Sequence, residues 1–454
     1  MCSSHGALAA EETNNDEAGI STANYSLPEY LRKLTDWNAQ RSALEQKGVT
    51  LAFTYYGDAF ANPKGGLGQG AGYDGRFGAI IDADLEKLAA WSGGAFHASI
   101  HQIHGSQFSA SNLNNLMTVS GIEGPPSTRL FNLWIEQNFG ASTNLRMGQF
   151  TAAQEFEVSQ NANLFVNSSF GWPLINAADL PSGGPAYPEA TPGVRLRYKV
   201  NDQLIVSAAV FNGDPAGPGP GNSVERDPHG FAFRVTDPPF FIAEVAYSYG
   251  QTADALGNPN QEGDGRASRP RLTEGALPGT LKLGAWYHSG AFADVGPALT
   301  QHGGDSSFYG ILDQMLWRVP RSSDRGLNVF VRGSLAPSDR NVVDTYVDGG
   351  LTFKGPFATR PDDALGLGVA FGRISPRASE ADRETTALSG TPMPIRDFEA
   401  AVELTYQWKL ADNWLVQPDL QYVIHPGANV ASPANPIAAI PNALVLGTRA
   451  TLRF

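Results

Sequence analysis

The chain has 454 residues, 42% hydrophobic and only 17% charged, with 50 glycines and 31 prolines. A formal charge of −13 without any long Lys/Arg run argues against a nucleic-acid partner. No run approaches the ~18 apolar residues of a membrane-spanning helix, and the architecture that crosses a bilayer without one is a closed barrel.

At the N-terminus, MCSSHGALAAEE carries Ala7-Leu8-Ala9, a small-residue pattern like a signal-cleavage site, without the basic and apolar regions that should precede it. Residues 1–24 therefore read as a signal remnant or a disordered terminus, with a lipid-anchored Cys2 as the rival. Cys2 is the only cysteine, so neither a disulfide framework nor a thiolate metal site is available. Residues 25–48 form a helical segment. Within Pro28–Lys47, Leu31, Leu34, Trp37, Arg41 and Leu44 fall at helical spacing, and Pro28 suits a helix start.

From residue 49 to 454 the pattern has period two. Strands are expected near Val49–Asp58, Tyr73–Leu85, Gly94–Ile103, Arg129–Phe139, Thr143–Phe150, Gly193–Lys199, Leu204–Asn212 and Phe240–Ser248. Eight more follow near Thr280–His288, Phe308–Arg318, Leu327–Ser334, Tyr346–Lys354, Ala364–Ile374, Phe398–Lys409, Trp414–Ile424 and Ala443–Phe454. About 16 strands is an even number, as a single-chain bacterial barrel requires. In the last of them Leu444, Leu446, Ala450, Leu452 and Phe454 share one face, while Arg449, Thr451 and Arg453 share the other. An apolar face toward lipid and a polar face toward a wet lumen produce this alternation. The fold class is all-β: a transmembrane antiparallel barrel with a short N-terminal helix. Short turns such as Gly140-Ala141-Ser142 alternate with long loops. Thr151–Thr191 is too aromatic and apolar for a free loop, and is expected to fold into the lumen. Trp134 and Trp286 fall on the lumen face, whereas Tyr247, Trp317, Trp408 and Trp414 are candidates for interface girdles.

Motifs for chemistry are weak. Gly70-Ala-Gly72-Tyr-Asp-Gly75 has dinucleotide-loop spacing, but a strand follows where the phosphate-binding helix should begin. On a strand, His97 and His101 share a face about 13 Å apart at ~3.3 Å per residue, too far for one zinc ion. With His104 they read as wet lumen residues. No nucleophile turn or paired carboxylate stands out, so no catalytic residue, metal or cofactor is expected.

Several segments together resemble the OprB-type carbohydrate-selective porins: LEQKGVTLAFTYYGD (Leu44–Asp58), IDADLEKLAAW (Ile81–Trp91), RLFNLWIEQNFG (Arg129–Gly140) and LRMGQFTAAQEF (Leu145–Phe156). The run from Phe165 to Tyr198 and QPDLQYVIHPG (Gln417–Gly427) extend the resemblance over about residues 30–454. It implies a 16-stranded outer-membrane channel passing monosaccharides by facilitated diffusion. A terminal Phe454 resembles the signal by which the barrel-assembly machinery takes up such chains. Outer-membrane lipid is the implied surroundings, with a monomer or homotrimer left open. A sugar constriction needs hydrogen-bonding side chains beside an aromatic platform, binding weakly enough to release the solute. Inward alternation nominates Trp134, Glu136, Arg146, Arg195 and Arg197; the infolded segment adds Glu155, Asn167 and Trp172; Arg76 completes the set. For each, a structural ion pair or packing contact is the competing role. Gln102-Ile103-His104 departs from the acidic–basic pair that glucose-type members often carry there, which leaves glucose preference open. A porin for other small solutes, a plugged barrel with enzymatic or sugar-binding activity, and a secreted lectin are the alternatives.

Overall fold

A computed structural model describes residues 30, 33, 36–37, 39–251, 275–298, 300–322 and 324–454. The expectation for residues 1–24 lies outside them, as do Leu31 and Leu34. The predicted helix is not continuous. Tyr30 and Lys33 are helical, Trp37 and Ala39 adopt positive φ, and helix resumes over Gln40–Gln46.

Strands then follow in chain order: β1 Val49–Lys64, β2 Gly70–Asp84, β3 Gly94–Gly105, β4 Ser127–Phe139, β5 Thr143–Phe150, β6 Thr191–Lys199, β7 Leu204–Asn212 and β8 Pro239–Tyr249. The remainder are β9 Gly279–Ala293, β10 Gln301–Arg318, β11 Gly326–Leu335, β12 Val343–Lys354, β13 Ala364–Ile374, β14 Phe398–Ala411, β15 Trp414–Ile424 and β18 Ala443–Arg453. These sixteen form one closed barrel in which each strand pairs with its neighbours in sequence. A small hairpin, β16 Ala431–Ser432 and β17 Asn435–Ala439, lies outside it and was not foreseen. Antiparallel pairing of β1 with β18 shuts the barrel, from Thr54 opposite Arg453 to Lys64 opposite Leu444. Beyond that ladder Phe454 exchanges backbone hydrogen bonds with Phe53 at 2.8 and 2.9 Å. Closure gives every strand of the barrel two neighbours, the condition for backbone to lie in hydrocarbon.

Alternation sorts the side chains. Along β8, Phe240, Ile242, Glu244, Ala246 and Ser248 are buried, whereas Phe241, Val245 and Tyr247 are exposed. Val194, Leu283, Leu351, Leu367, Leu404 and Leu446 continue the exposed apolar belt around the wall, far larger than a soluble monomer tolerates. Trp134 and Trp286 point inward and are buried, as alternation requires; Tyr247, Trp317 and Trp408 face out. The ends joined by turns such as 140–142 and 412–413 mark the periplasmic rim, and the opposite ends, which carry the long connections 106–126 and 151–190, the extracellular one.

Two connections fold inward, 106–126 after β3 and 151–190 after β5. The wall grips them with carboxylates. Asp74 accepts the Gln107 amide at 2.8 Å, and Glu399 accepts those of Leu116 and Met117 at 2.8 and 2.6 Å. Asp313 accepts from the Ser159 hydroxyl at 2.6 Å, and Glu403 from the amides of Val166 and Asn167 at 2.7 and 3.0 Å. Arg332, ion-paired with Asp348, donates to the carbonyls of Glu157 and Ser169 at 2.7 Å each. Buried backbone outside a ladder must find partners, and these wall side chains supply them. Apolar contacts do the rest: Phe165, Phe170 and Leu174 pack on Phe330, Val343 and Tyr346.

Candidate functional site

Register places Glu136, Arg146 and Arg195 in one row across β4, β5 and β6. Into this row the infolded segment drops Glu155. Arg146 donates to Glu136 through Nη2 at 2.6 Å and Nε at 2.9 Å, and its Nη1 meets Glu155. Arg195 reaches Glu155 at 3.0 Å and Glu136 at 3.1 Å, and Arg197 reaches Glu155 at 3.2 Å. The heart of the cluster is dry, with side-chain exposure of 0% for Glu155 and 1% for Arg195, while Glu136 and Arg197 at its margin keep 17% and 19%. Burial alone would raise the Glu155 carboxyl, but Arg146, Arg195 and Arg197 outweigh it and hold the group at about 2.

Trp134 belongs to the same assembly. The Arg146 guanidinium lies 3.7 Å over one side of its indole, and His97 stacks at 4.8 Å with planes 10° apart. His97 in turn meets Asp82 at 2.7 Å. With cation and imidazole both stacked on it, the indole serves as packing for Arg146. Next to the cluster, Gln154, Glu155, Arg197, Ser207, Glu244 and Lys282 line a cavity of about 30 Å³, room for water and too small for a sugar ring.

Six nominated residues, Trp134, Glu136, Arg146, Glu155, Arg195 and Arg197, thus come together. Trp172 joins them through the apolar cluster that contains Trp134, Phe150 and Phe211, and its Nε1 donates to the Gly183 carbonyl at 3.0 Å. Asn167 lies against β15, donating to Gln421 at 3.0 Å and to the Met117 carbonyl at 3.1 Å. Arg76 faces inward between the rings of Tyr56 and Tyr187, at 4.6 and 5.4 Å.

Other expectations are corrected. His97 and His101 are packed rather than wetted, His101 against Phe131 at 4.3 Å. His104 points outward, 3.2 Å from the Tyr55 hydroxyl, because three residues along a strand is an odd step. Of Gln102-Ile103-His104, only Ile103 faces the lumen. Inward-facing acids on the strands, Asp58, Glu244, Asp313, Asp348, Glu399 and Glu403, hold the infolded segments or arginines.

What remains open to solvent on those segments escaped sequence reasoning. Asn114, Leu116, Gly121, Gln160, Asn163, Gly171, Ala177 and Ala178 are exposed, and among the described residues of 106–126 and 151–190 no exposed position is charged. Their signal was composition: both stretches are rich in Asn, Ser, Gly and Ala.

Residues 68–454 match the family described as carbohydrate-selective porin, OprB family. Porin B of Pseudomonas aeruginosa is 23% identical over 92% of this chain and 90% of its own length. The putative porin QuiX of Acinetobacter baylyi is 22% identical over 93% of this chain and 92% of its own. The high-pH structure of Pseudomonas putida OprB superposes with a TM-score of 0.77 at 23% identity, covering 92% of this chain and 97% of that one.

Proposed function

Because the chain belongs to the carbohydrate-selective porin, OprB family, and is an outer-membrane channel, we propose that its lumen conducts small neutral sugars and polyols of similar size by facilitated diffusion. The observation that carries this reading is the uncharged open surface of the two infolded segments. A neutral sugar offers hydroxyls over patches of C–H. Asn114, Gln160 and Asn163 exchange hydrogen bonds with hydroxyls in both directions, and Leu116, Ala177 and Ala178 accept the C–H faces. Contacts of this kind are individually weak, which lets the solute leave.

The Glu136–Arg146–Glu155–Arg195–Arg197 cluster plays a supporting part in this proposal. Its ion pairs consume the arginines, so it frames the passage and keeps its shape. A charged solute would have to shed water against an uncharged surface, a cost that a neutral hydroxyl compound avoids.

The test is flux into proteoliposomes of glucose, a disaccharide and a charged solute of glucose size. Monosaccharide entry should exceed that of the charged solute, and Asn163→Asp should slow an anionic solute while sparing glucose. Equal entry of all three would make this a general porin, and no entry through folded protein would end the channel reading.

A further inference from the structure

β5 and β6 stop short. The β4–β5 ladder runs from Leu133 opposite Gln149 to Phe139 opposite Thr143, although β4 itself begins at Ser127. On that side Ser127–Asn132 therefore has no strand partner, because the chain leaves the wall at Phe150 and returns at Thr191. The β7–β8 connection occupies the notch. Leu130 donates its amide to the His229 carbonyl at 2.9 Å, and Gln149 Nε2 donates to the Gly230 carbonyl at 2.9 Å. Gly230 has φ +69, and a Cβ there would lie 2.1 Å from the Leu130 oxygen, so this junction is built for glycine.

Beyond the junction Phe231, Phe233 and Val235 are 62%, 41% and 74% exposed. Val235, Asp237 and Pro239 border a groove of about 770 Å³ whose floor is Leu133, Ile135, Met147, Val194 and Val210. Ile135, Met147, Val194 and Val210 belong to the exposed apolar belt, so the groove is continuous with the lipid-facing wall. Elsewhere the extracellular half of that wall carries aromatic side chains on its strands, among them Tyr73, Phe241, Tyr287, Phe308 and Tyr422. In the sector from β4 to β7 the exposed aromatic side chains on the strands, Phe139 and Tyr198, lie only at the periplasmic end. Membrane barrels set aromatic residues at both lipid–water boundaries, where an amphipathic or polarisable ring is most favourable.

We propose that residues 231–239 replace the missing girdle: Phe231 and Phe233 insert at the boundary between headgroups and acyl chains of the outer leaflet, and a lipid acyl chain occupies the groove below. Backbone outside a ladder is not tolerated deep in hydrocarbon, which places the segment at this boundary. Arg234, held by Asp237 at 2.7 and 2.8 Å, orients the turn back into β8.

The experiment places nitroxide labels at Phe233→Cys and Val235→Cys, in a Cys2→Ser background, in liposomes. Val194→Cys serves as a lipid-exposed reference and Leu388→Cys, on the extracellular helix Pro376–Ser389, as an aqueous one. Collision rates with oxygen and with a polar nickel chelate are compared. The proposal expects oxygen access at 233 and 235 to approach that at 194, with nickel access several-fold below that at 388. Nickel access equal to that at 388 would overturn it. Dipolar coupling between labels on two molecules would also overturn it, by showing a second copy in the groove. Phe233→Trp, which keeps an aromatic ring, gives an independent readout. Its added fluorescence should be quenched most by lipids brominated high on the chain, and absence of quenching would refute membrane contact.

Discussion

Glu155→Gln tests the dry cluster most directly, because the change preserves shape and removes one charge. At an effective dielectric of about 20, the contacts to Arg195 at 3.0 Å and Arg197 at 3.2 Å are each worth roughly 5 kcal/mol of gross attraction. Desolvation of the participating ions offsets most of that. Removing one partner of a buried pair nevertheless costs about 3–5 kcal/mol, since the remaining charges stay buried and repel. Three arginines would then face Glu136 alone, taking the local formal charge from +1 to +2. Unfolding by guanidinium, followed by tryptophan fluorescence and by heat-modifiable gel migration, should show a loss of about 3 kcal/mol. Reversal potentials under a salt gradient should move toward anions. Adding Arg197→Met to Glu155→Gln should recover part of the loss, as coupled neighbours do. A single variant within about 0.5 kcal/mol of the parent would refute the argument, because that is the size expected of a solvent-screened surface pair.

Arg332→Met should be the most disruptive single wall change, at about 3–5 kcal/mol, because it strands Asp348 and uncaps the carbonyls of Glu157 and Ser169; proteolysis within 151–190 would report it. Burial pushes the Glu123 carboxyl up to about 7 from 4.5. Its protonated form therefore favours the fold, with full stability below about pH 4.5, loss as pH rises, and no further loss above about pH 7. Glu123→Gln should flatten the dependence of unfolding midpoint on pH across that window, and an unchanged slope would remove Glu123 as its source. Gly230→Ala forces a Cβ against the Leu130 carbonyl and should raise amide hydrogen exchange in 229–239 with little effect on the β9–β15 ladders.

The alternation of Leu444, Leu446 and Leu452 with Arg449 and Arg453 is a local property, and its repetition along the chain was enough to point to a barrel of about 16 strands and to the inward face of most of them. Period two leaves only two possible faces, and a bilayer on one side makes the choice between them. Inward orientation of Arg146, Arg195 and Glu136 was legible for the same reason. Their meeting with Glu155 was not, because that contact joins a strand row to a loop whose path depends on anchors at Glu244, Asp313, Arg332 and Glu403, far along the chain. The sandwiching of Trp134, the outward turn of His104, the break at Trp37–Ala39 and the notch closed by His229–Gly230 likewise belong to the tertiary structure. Each depends on which distant backbone arrives beside it, and alternation along one strand carries no information about that.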